Sequence, residues 1–334
     1  MSRPRIIDSH THILTEETMA LLRKEAPKLG IGIAPLDDST VVLEVAGSAY
    51  KPFPRGGFDL EQRFKDMAAM AVDMQVLSAT PQTYLYNQEA ALGAVTSAIQ
   101  NDQIAKLVKT QPDRFAGIAT LPMQDGERAA AELRRAVTQL GLKGAMIGSN
   151  VQGRNLDDPS FEPLWQTAAE LDAFIFIHPV TVAGSDRLKP YYLVNLVGNP
   201  LDTTIAAACL VFGGVFDRYP KLKVCLAHGG GFVPFQAGRW AHGWQVRPEP
   251  KKNIAARPDD VVERFFYDTI LHSTQSLEFL VSRAGARRVM LGSDYPYDMA
   301  MMDCVQAVRA LSVSDADKDE ILAGRARAVI GAGA

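Results

Sequence analysis

Residues 173–179 read Ala173-Phe174-Ile175-Phe176-Ile177-His178-Pro179. A run of four large apolar residues without polar alternation is apolar on both faces, as a strand in a parallel sheet covered by helices must be. The run stops on His178, which sets a polar ring at the strand's C-terminal end. Working outward, seven more short β-branched or apolar runs occur at 5–12, 74–80, 115–122, 142–149, 223–229, 265–271 and 289–296. Segments of helical spacing follow them at 60–71, 88–110, 126–140, 161–171, 201–216, 233–245, 275–284 and 301–311. Eight strand–helix units predict an α/β fold, a (β/α)8 TIM barrel. Breakers fall where loops are needed, at Gln111-Pro112-Asp113, Asp217-Arg218-Tyr219-Pro220 and Gly285. No linker interrupts the pattern, so residues 1–334 are expected to form a single domain.

Residues 15–58 follow no single period. A helix is expected over 15–28 and a short strand around 41–45. A long connection leaving the C-terminal end of a barrel strand is usually a lid or binding element. An extra C-terminal helix is expected over 315–330.

Composition narrows the class. The chain has 334 residues, 47% of them hydrophobic and 22% charged, which suits a large globular core and excludes disorder, collagen and coiled coil. Its net charge of −3 lacks the basic excess that phosphate-backbone binding requires, so nucleic acid is not an expected partner. Cys209, Cys225 and Cys304 are too few and too scattered for a disulfide framework and are read as reduced, buried thiols. Ser2-Arg3-Pro4-Arg5 runs directly into the first strand without an apolar leader, and no apolar run long enough to cross a membrane is apparent. A soluble cytoplasmic protein is expected.

Four of the six histidines end predicted strands: His10 and His12 the first, His178 the fifth, His228 the sixth. Asp294 ends the eighth. Residues i and i+2 of a strand face the same way, so His10 and His12 both point into the barrel mouth, and closure puts Asp294 beside them. Any one of these histidines alone would be an ordinary hydrogen-bonded core residue. Together with a carboxylate on the active face of a barrel, they make a site for zinc or another first-row divalent ion. Asp8 lies one layer lower, as an outer partner or a capping group. His272 ends the seventh strand and is placed in the pocket lining, whereas Asp268 and His242 read as structural. The fourth strand, 142–148, ends in apolar residues with Lys143 at its other end, so no bridge for a second metal is offered. Gly229-Gly230-Gly231 is not a dinucleotide fingerprint and instead lets backbone approach the pocket.

Ile7-Asp8-Ser9-His10-Thr11-His12, Ile177-His178-Pro179, Ala227-His228-Gly229-Gly230-Gly231, Gly238-Arg239 and Leu291-Gly292-Ser293-Asp294-Tyr295-Pro296 together resemble the amidohydrolase superfamily. They are most similar to the branch typified by 2-amino-3-carboxymuconate 6-semialdehyde decarboxylase. The resemblance spans nearly the whole chain. It implies that His10, His12, His178 and Asp294 hold one divalent metal, Zn2+ on the His-x-His form with Mn2+ as the alternative, and that His228 is the catalytic acid/base. It also implies that Arg239 binds a substrate carboxylate, reaching across a homodimer interface. Lys51 stands where the type enzyme has arginine, giving a point charge in place of a bidentate fork, and Tyr191 where it has tryptophan. Both are carried as substrate contacts, with His272. The expected activity is non-oxidative decarboxylation of an aromatic or muconate-like carboxylic acid, with aromatic compound catabolism as its setting. The rival readings are a hydrolase opening a lactone or amide on the same metal and a non-catalytic ligand-binding barrel.

Overall fold

The computed structural model describes residues 5–29, 31–35, 40–45 and 48–332, with side chains at 5–21, 24 and 53–332. Among the described residues thirteen strands run in chain order. They are β1 (Ile7–Ile13), β2 (Ile31–Pro35), β3 (Thr40–Val45), β4 (Ser48–Pro54), β5 (Met74–Ala79), β6 (Phe115–Gly117), β7 (Gly144–Gly148), β8 (Asn150–Val151), β9 (Arg154–Asn155), β10 (Phe174–His178), β11 (Lys223–Leu226), β12 (Phe266–Asp268) and β13 (Val289–Met290).

Two parallel sheets, β1-β5-β6 and β13-β12-β11-β10-β7, carry the eight strands of the expected barrel. Backbone hydrogen bonds join them at both seams. Ala119 bridges Ala145, with Ala119 N–H donating to Gly144 O at 2.8 Å and Met146 N–H to Ala119 O at 2.8 Å. At the other seam Thr11 bridges Tyr295, with His12 N–H donating to Tyr295 O at 2.7 Å and Asp294 N–H to His10 O at 2.9 Å. The eight strands therefore form a ring, the TIM barrel read from the sequence.

The helices are α1 (Glu16–Leu29), α2 (Leu60–Ala69), α3 (Ala90–Thr110), α4 (Gly126–Thr138), α5 (Glu162–Glu170), α6 (Asn199–Phe212), α7 (Val215–Arg218), α8 (Val233–Val246), α9 (Val261–Arg264), α10 (Thr274–Ala284), α11 (Cys304–Arg309), α12 (Asp315–Asp319) and α13 (Arg325–Ile330). In α4, Asp125 caps the free amides of Glu127 and Arg128, while Ala129, Leu133 and Ala136 form one buried stripe. The helix expected over 201–216 is instead two, α6 and α7, because Gly214 turns left-handed at φ 72° between them. The expected C-terminal helix is α12, a π-turn at Glu320–Gly324 and α13, of which the π-turn and α13 pack against β1 and β13.

Between β1 and α2 the chain forms α1 and an antiparallel sheet ordered β2-β3-β4. The expected helix and the strand at 41–45 are both present; β4 escapes a sequence pattern because Lys51, Pro52 and Pro54 interrupt it, and as an edge strand it tolerates proline. One expectation is corrected. The helical run Pro190–Phe212 is long and apolar enough to cross a membrane by length and composition. Asn195, Asn199 and Asp202 obscure it in the sequence, and Asp202 is buried within the protein, bonded by Ser149 and by Asn150 Nδ2 at 2.8 Å.

Candidate metal centre and active site

β1 carries an extra residue between Asp8 and Thr11, pairing them with Gln75 and Leu77 of β5. Such bulges re-aim side chains beside active sites. His10 Nε2 and His12 Nε2 lie 3.1 Å apart, and His12 Nε2 is 3.1 Å and His10 Nε2 3.4 Å from Asp294 Oδ1. His178, the last residue of β10, points its Nε2 at the same oxygen from 3.9 Å. The four donor atoms all lie within 4.8 Å of one another, and the residues are buried. Donors of a tetrahedral site with bonds of about 2.0–2.1 Å are separated by roughly 3.4 Å, so this spacing suits one first-row divalent ion.

The other ring nitrogens are tied down from behind. His10 Nδ1 pairs with Asp268 Oδ2 at 2.7 Å, His12 Nδ1 with Ser78 Oγ at 3.1 Å and His178 Nδ1 with Pro179 O at 2.8 Å. Acceptors on Nδ1 direct each Nε2 lone pair inward, the arrangement that orients metal ligands. His178 Nε2 is buried and has no hydrogen-bond partner, which an ion would supply. Burial lowers His12 to about 4 and His178 to about 3. For Asp294 burial acts the other way, but the imidazoles of His12, His178 and His228 outweigh it and hold the carboxyl well below its usual range. Neutral imidazoles around an ionised carboxylate are the states a cation binds.

A fourth ring completes the cluster. His228 Nε2 lies 3.4 Å from Asp294 Oδ2, and its buried Nδ1 has no partner. Burial would lower its pKa, but Asp294 and Asp268 outweigh that and raise it. His228 has φ 56° and opens a left-handed run through Gly229, Gly230 and Gly231. A Cβ at Gly231 would lie 2.2 Å from Pro200 O and one at Gly230 2.5 Å from Tyr267, so glycine is required to present the ring. Asp294, at φ 63°, is also strained. Asp268, read from sequence as structural, accepts from His228 N at 2.9 Å and Gly229 N at 2.8 Å and thereby joins His10 to His228.

The cluster floors a two-lobed cavity whose lobes share His228, Asp294, Asn195, Asn199 and Met299. One lobe, of about 300 Å³, runs to Phe232, Leu271 and His272; the other, of about 230 Å³, to His178, Gln82, Tyr192 and Tyr297. His272 lies in the lining of the first lobe. Tyr191 does not: it is 85% exposed and absent from both linings, while its neighbour Tyr192 lines one lobe. Two successive left-handed residues, φ 58° and 61°, turn the chain so that only the second faces inward. Arg239 is exposed on α8 and lines neither lobe. The side chain of Lys51, in β4, lies outside the described residues. Asn195, Asn199, Tyr192, Gln82 and Tyr297 were not singled out in the sequence, where they sit in stretches with no spacing signal.

Residues 7–332 match the amidohydrolase family. The chain belongs to that family. It is 36% identical to 2-amino-3-carboxymuconate-6-semialdehyde decarboxylase from Dictyostelium discoideum, over 97% of this chain and 91% of that protein. It is 32% identical to gamma-resorcylate decarboxylase from Rhodococcus jostii, over 66% of this chain and 72% of the relative. Among solved structures, 5-carboxyvanillate decarboxylase from Sphingomonas paucimobilis superposes with a TM-score of 0.84 at 26% identity, covering 98% of this chain and 99% of that one. A dihydroxybenzoic acid decarboxylase from Polaromonas sp., solved with bound manganese and the inhibitor 2-nitroresorcinol, gives 0.80 at 25% identity, covering 98% and 97%.

Proposed function

We propose that this amidohydrolase is a metal-dependent, non-oxidative decarboxylase of an aromatic or muconate-like carboxylic acid, in which His10, His12, His178 and Asp294 hold one divalent ion and His228 moves the proton. The observation that carries this is the convergence of three buried imidazole nitrogens on one carboxylate, each backed on its far nitrogen, with a further histidine free to act beside them. A divalent ion supplies Lewis acidity and substrate orientation there. Three nitrogen donors and one carboxylate favour zinc, although the Polaromonas relative holds manganese.

His228 Nε2 faces the cavity and keeps its proton to higher pH than an ordinary imidazole. It delivers that proton to the ring or enamine carbon bearing the carboxylate; the carbon–carbon bond then breaks, its electron pair returns to the conjugated system and CO2 leaves. The balance needs no oxidant and no organic cofactor. Lys51 and His272 are assigned to the substrate's remaining polar groups. Breakdown of aromatic compounds in the cytoplasm is the setting this chemistry fits.

Arg239 requires assembly. It is exposed on α8 and away from its own cavity, on the same helix as Phe235, which is 76% exposed. In a two-fold homodimer the guanidinium of one subunit would enter the other's cavity and bind the substrate carboxylate. Purified protein should carry close to one zinc per chain and release CO2 from a muconate or hydroxybenzoate acid; hydrolysis of lactones or amides without CO2 would overturn the assignment. Mixing inactive Arg239→Ala and His228→Ala chains should restore part of the activity, and no recovery after demonstrated subunit exchange would remove the shared site.

A further inference from the structure

Arg63 lies on the core-facing stripe of α2, in helical register with Leu60, Met67 and Met70, and its charged side chain is fully buried there. The contacts its guanidinium makes are directional. Nη2 donates to the backbone carbonyl of His12, Nη1 to Gln75 Oε1 at 2.8 Å and Nε to Gly56 O at 3.1 Å, while the plane lies 4.8 Å from the centroid of the Tyr295 ring. The carboxylates that act on it, Asp8 and Asp66, are reached only through intermediaries: Gln75 Nε2 donates to Asp8 at 3.4 Å, and Tyr295 Oη to Asp66 at 2.5 Å. Among the described residues no carboxylate contacts it directly, and a buried cation so placed is costly and persists only where its hydrogen bonds are well made.

Those bonds trace a path from one metal-site residue to another. It starts at the His12 carbonyl, passes through Arg63 and Gln75 to Asp8, and ends at Ser293, whose N–H and hydroxyl donate to Asp8 at 3.0 and 2.5 Å. Ser293 directly precedes Asp294. On the other side Tyr295 follows Asp294, takes a hydrogen bond from His12 N–H on its carbonyl and stacks under Arg63. The returning end of the insertion is held by the same group: Gly56 gives Arg63 its carbonyl, and a Cβ there would lie 1.5 Å from Tyr295 Oη.

We propose that Arg63 is a positioning residue for the metal centre, fixing the backbones of β1 and of the chain after β13 so that His12 and Asp294 meet at one ion. It touches neither substrate nor metal. Orienting groups behind metal ligands typically set affinity by ten- to a hundredfold. The proposal rests on the metal assignment above.

The test compares Arg63→Met with Arg114→Met, a second barrel arginine that bonds the Asp73 carbonyl at 3.0 Å and stacks on Phe64 away from the cluster. Zn2+ affinity is measured by competition with a chromophoric chelator, and the geometry of the site by the visible spectrum of the Co2+-loaded protein. Arg63→Met should bind Zn2+ ten- to a hundredfold more weakly and shift the Co2+ bands, with Arg63→Lys intermediate; Arg114→Met should keep the parent's affinity and spectrum whatever its stability. A folded Arg63→Met with parental affinity and spectrum overturns the proposal. Should it not fold, Arg63→Lys decides on the same two readouts. Failure of the parent itself to bind an ion would instead overturn the metal assignment, so the two outcomes are distinguishable.

Discussion

Strands β1 and β13 are built in two contrasting ways. Along their backs they meet the π-turn and α13, where Ile321, Ala326 and Ile330 are at most 3% exposed and Leu291 N–H donates to Ile321 O at 2.9 Å. At their C-terminal ends the same strands deliver His10, His12 and Asp294 into a buried polar cluster whose members keep left-handed backbone at His228 and Asp294. The apolar back is what a fold needs. The polar end is costly to bury and adds strain, so it is there for chemistry and is the region whose substitutions should separate activity from stability.

The largest effect that would break this contrast concerns the ligands. Asp294→Ala removes the only carboxylate among the four donors, so it should abolish both metal content, read by elemental analysis, and CO2 release. A variant that keeps one ion per chain would show that the cluster is not the metal site. His228→Ala sharpens the division within the cluster: it should keep the ion and lose on the order of 10²–10⁴-fold in kcat, the usual contribution of a placed acid/base. Loss of the ion would make His228 a ligand.

The back of the same strands should respond in the opposite sense. Ile321 is fully buried, and Ile321→Ala leaves a cavity beneath β13 that should cost about 2–5 kcal/mol of stability by denaturant unfolding. The folded fraction should retain parental kcat and one ion per chain. A drop in kcat at full metal occupancy would mean that packing behind β13 tunes the site.

The contrast also explains what could be read from the sequence. Apolar runs such as 174–177 announce barrel strands because both their faces are covered, and a histidine ending such a run is conspicuous against it. The strands' C-terminal limits are overrun, since 115–122 and 289–296 shorten to Phe115–Gly117 and Val289–Met290. Beyond those limits the pairing thins to single bridges, at Ala119 and at Tyr295, and periodicity carries no mark of that. Arg63 was illegible for another reason. Its spacing to Leu60, Met67 and Met70 puts it on the buried face, but a single arginine in an apolar stripe carries no mark of what it bonds, and its partners His12, Gly56, Gln75 and Tyr295 are brought together only by the closed barrel. Asn195 and Asn199 likewise precede the apolar part of α6 and gain meaning only from the cavity they share.

The smallest effect lies just before β1, where Arg5 Nη2 contacts Asp113 Oδ1 at 2.7 Å with side chains 43% and 79% exposed. Coulomb attraction at such exposure is screened by water and by salt, and holding two long side chains together costs rotamer entropy. Arg5→Ala should therefore lower stability by only about 0.2–1 kcal/mol, by an amount that shrinks further when the unfolding is repeated in high salt, with metal content and kcat unchanged. A larger loss that persists in salt would mean that the entry to β1 is held as tightly as its exit. The difference between the strand's two regions would then come from the residues each presents and not from the rigidity of its ends.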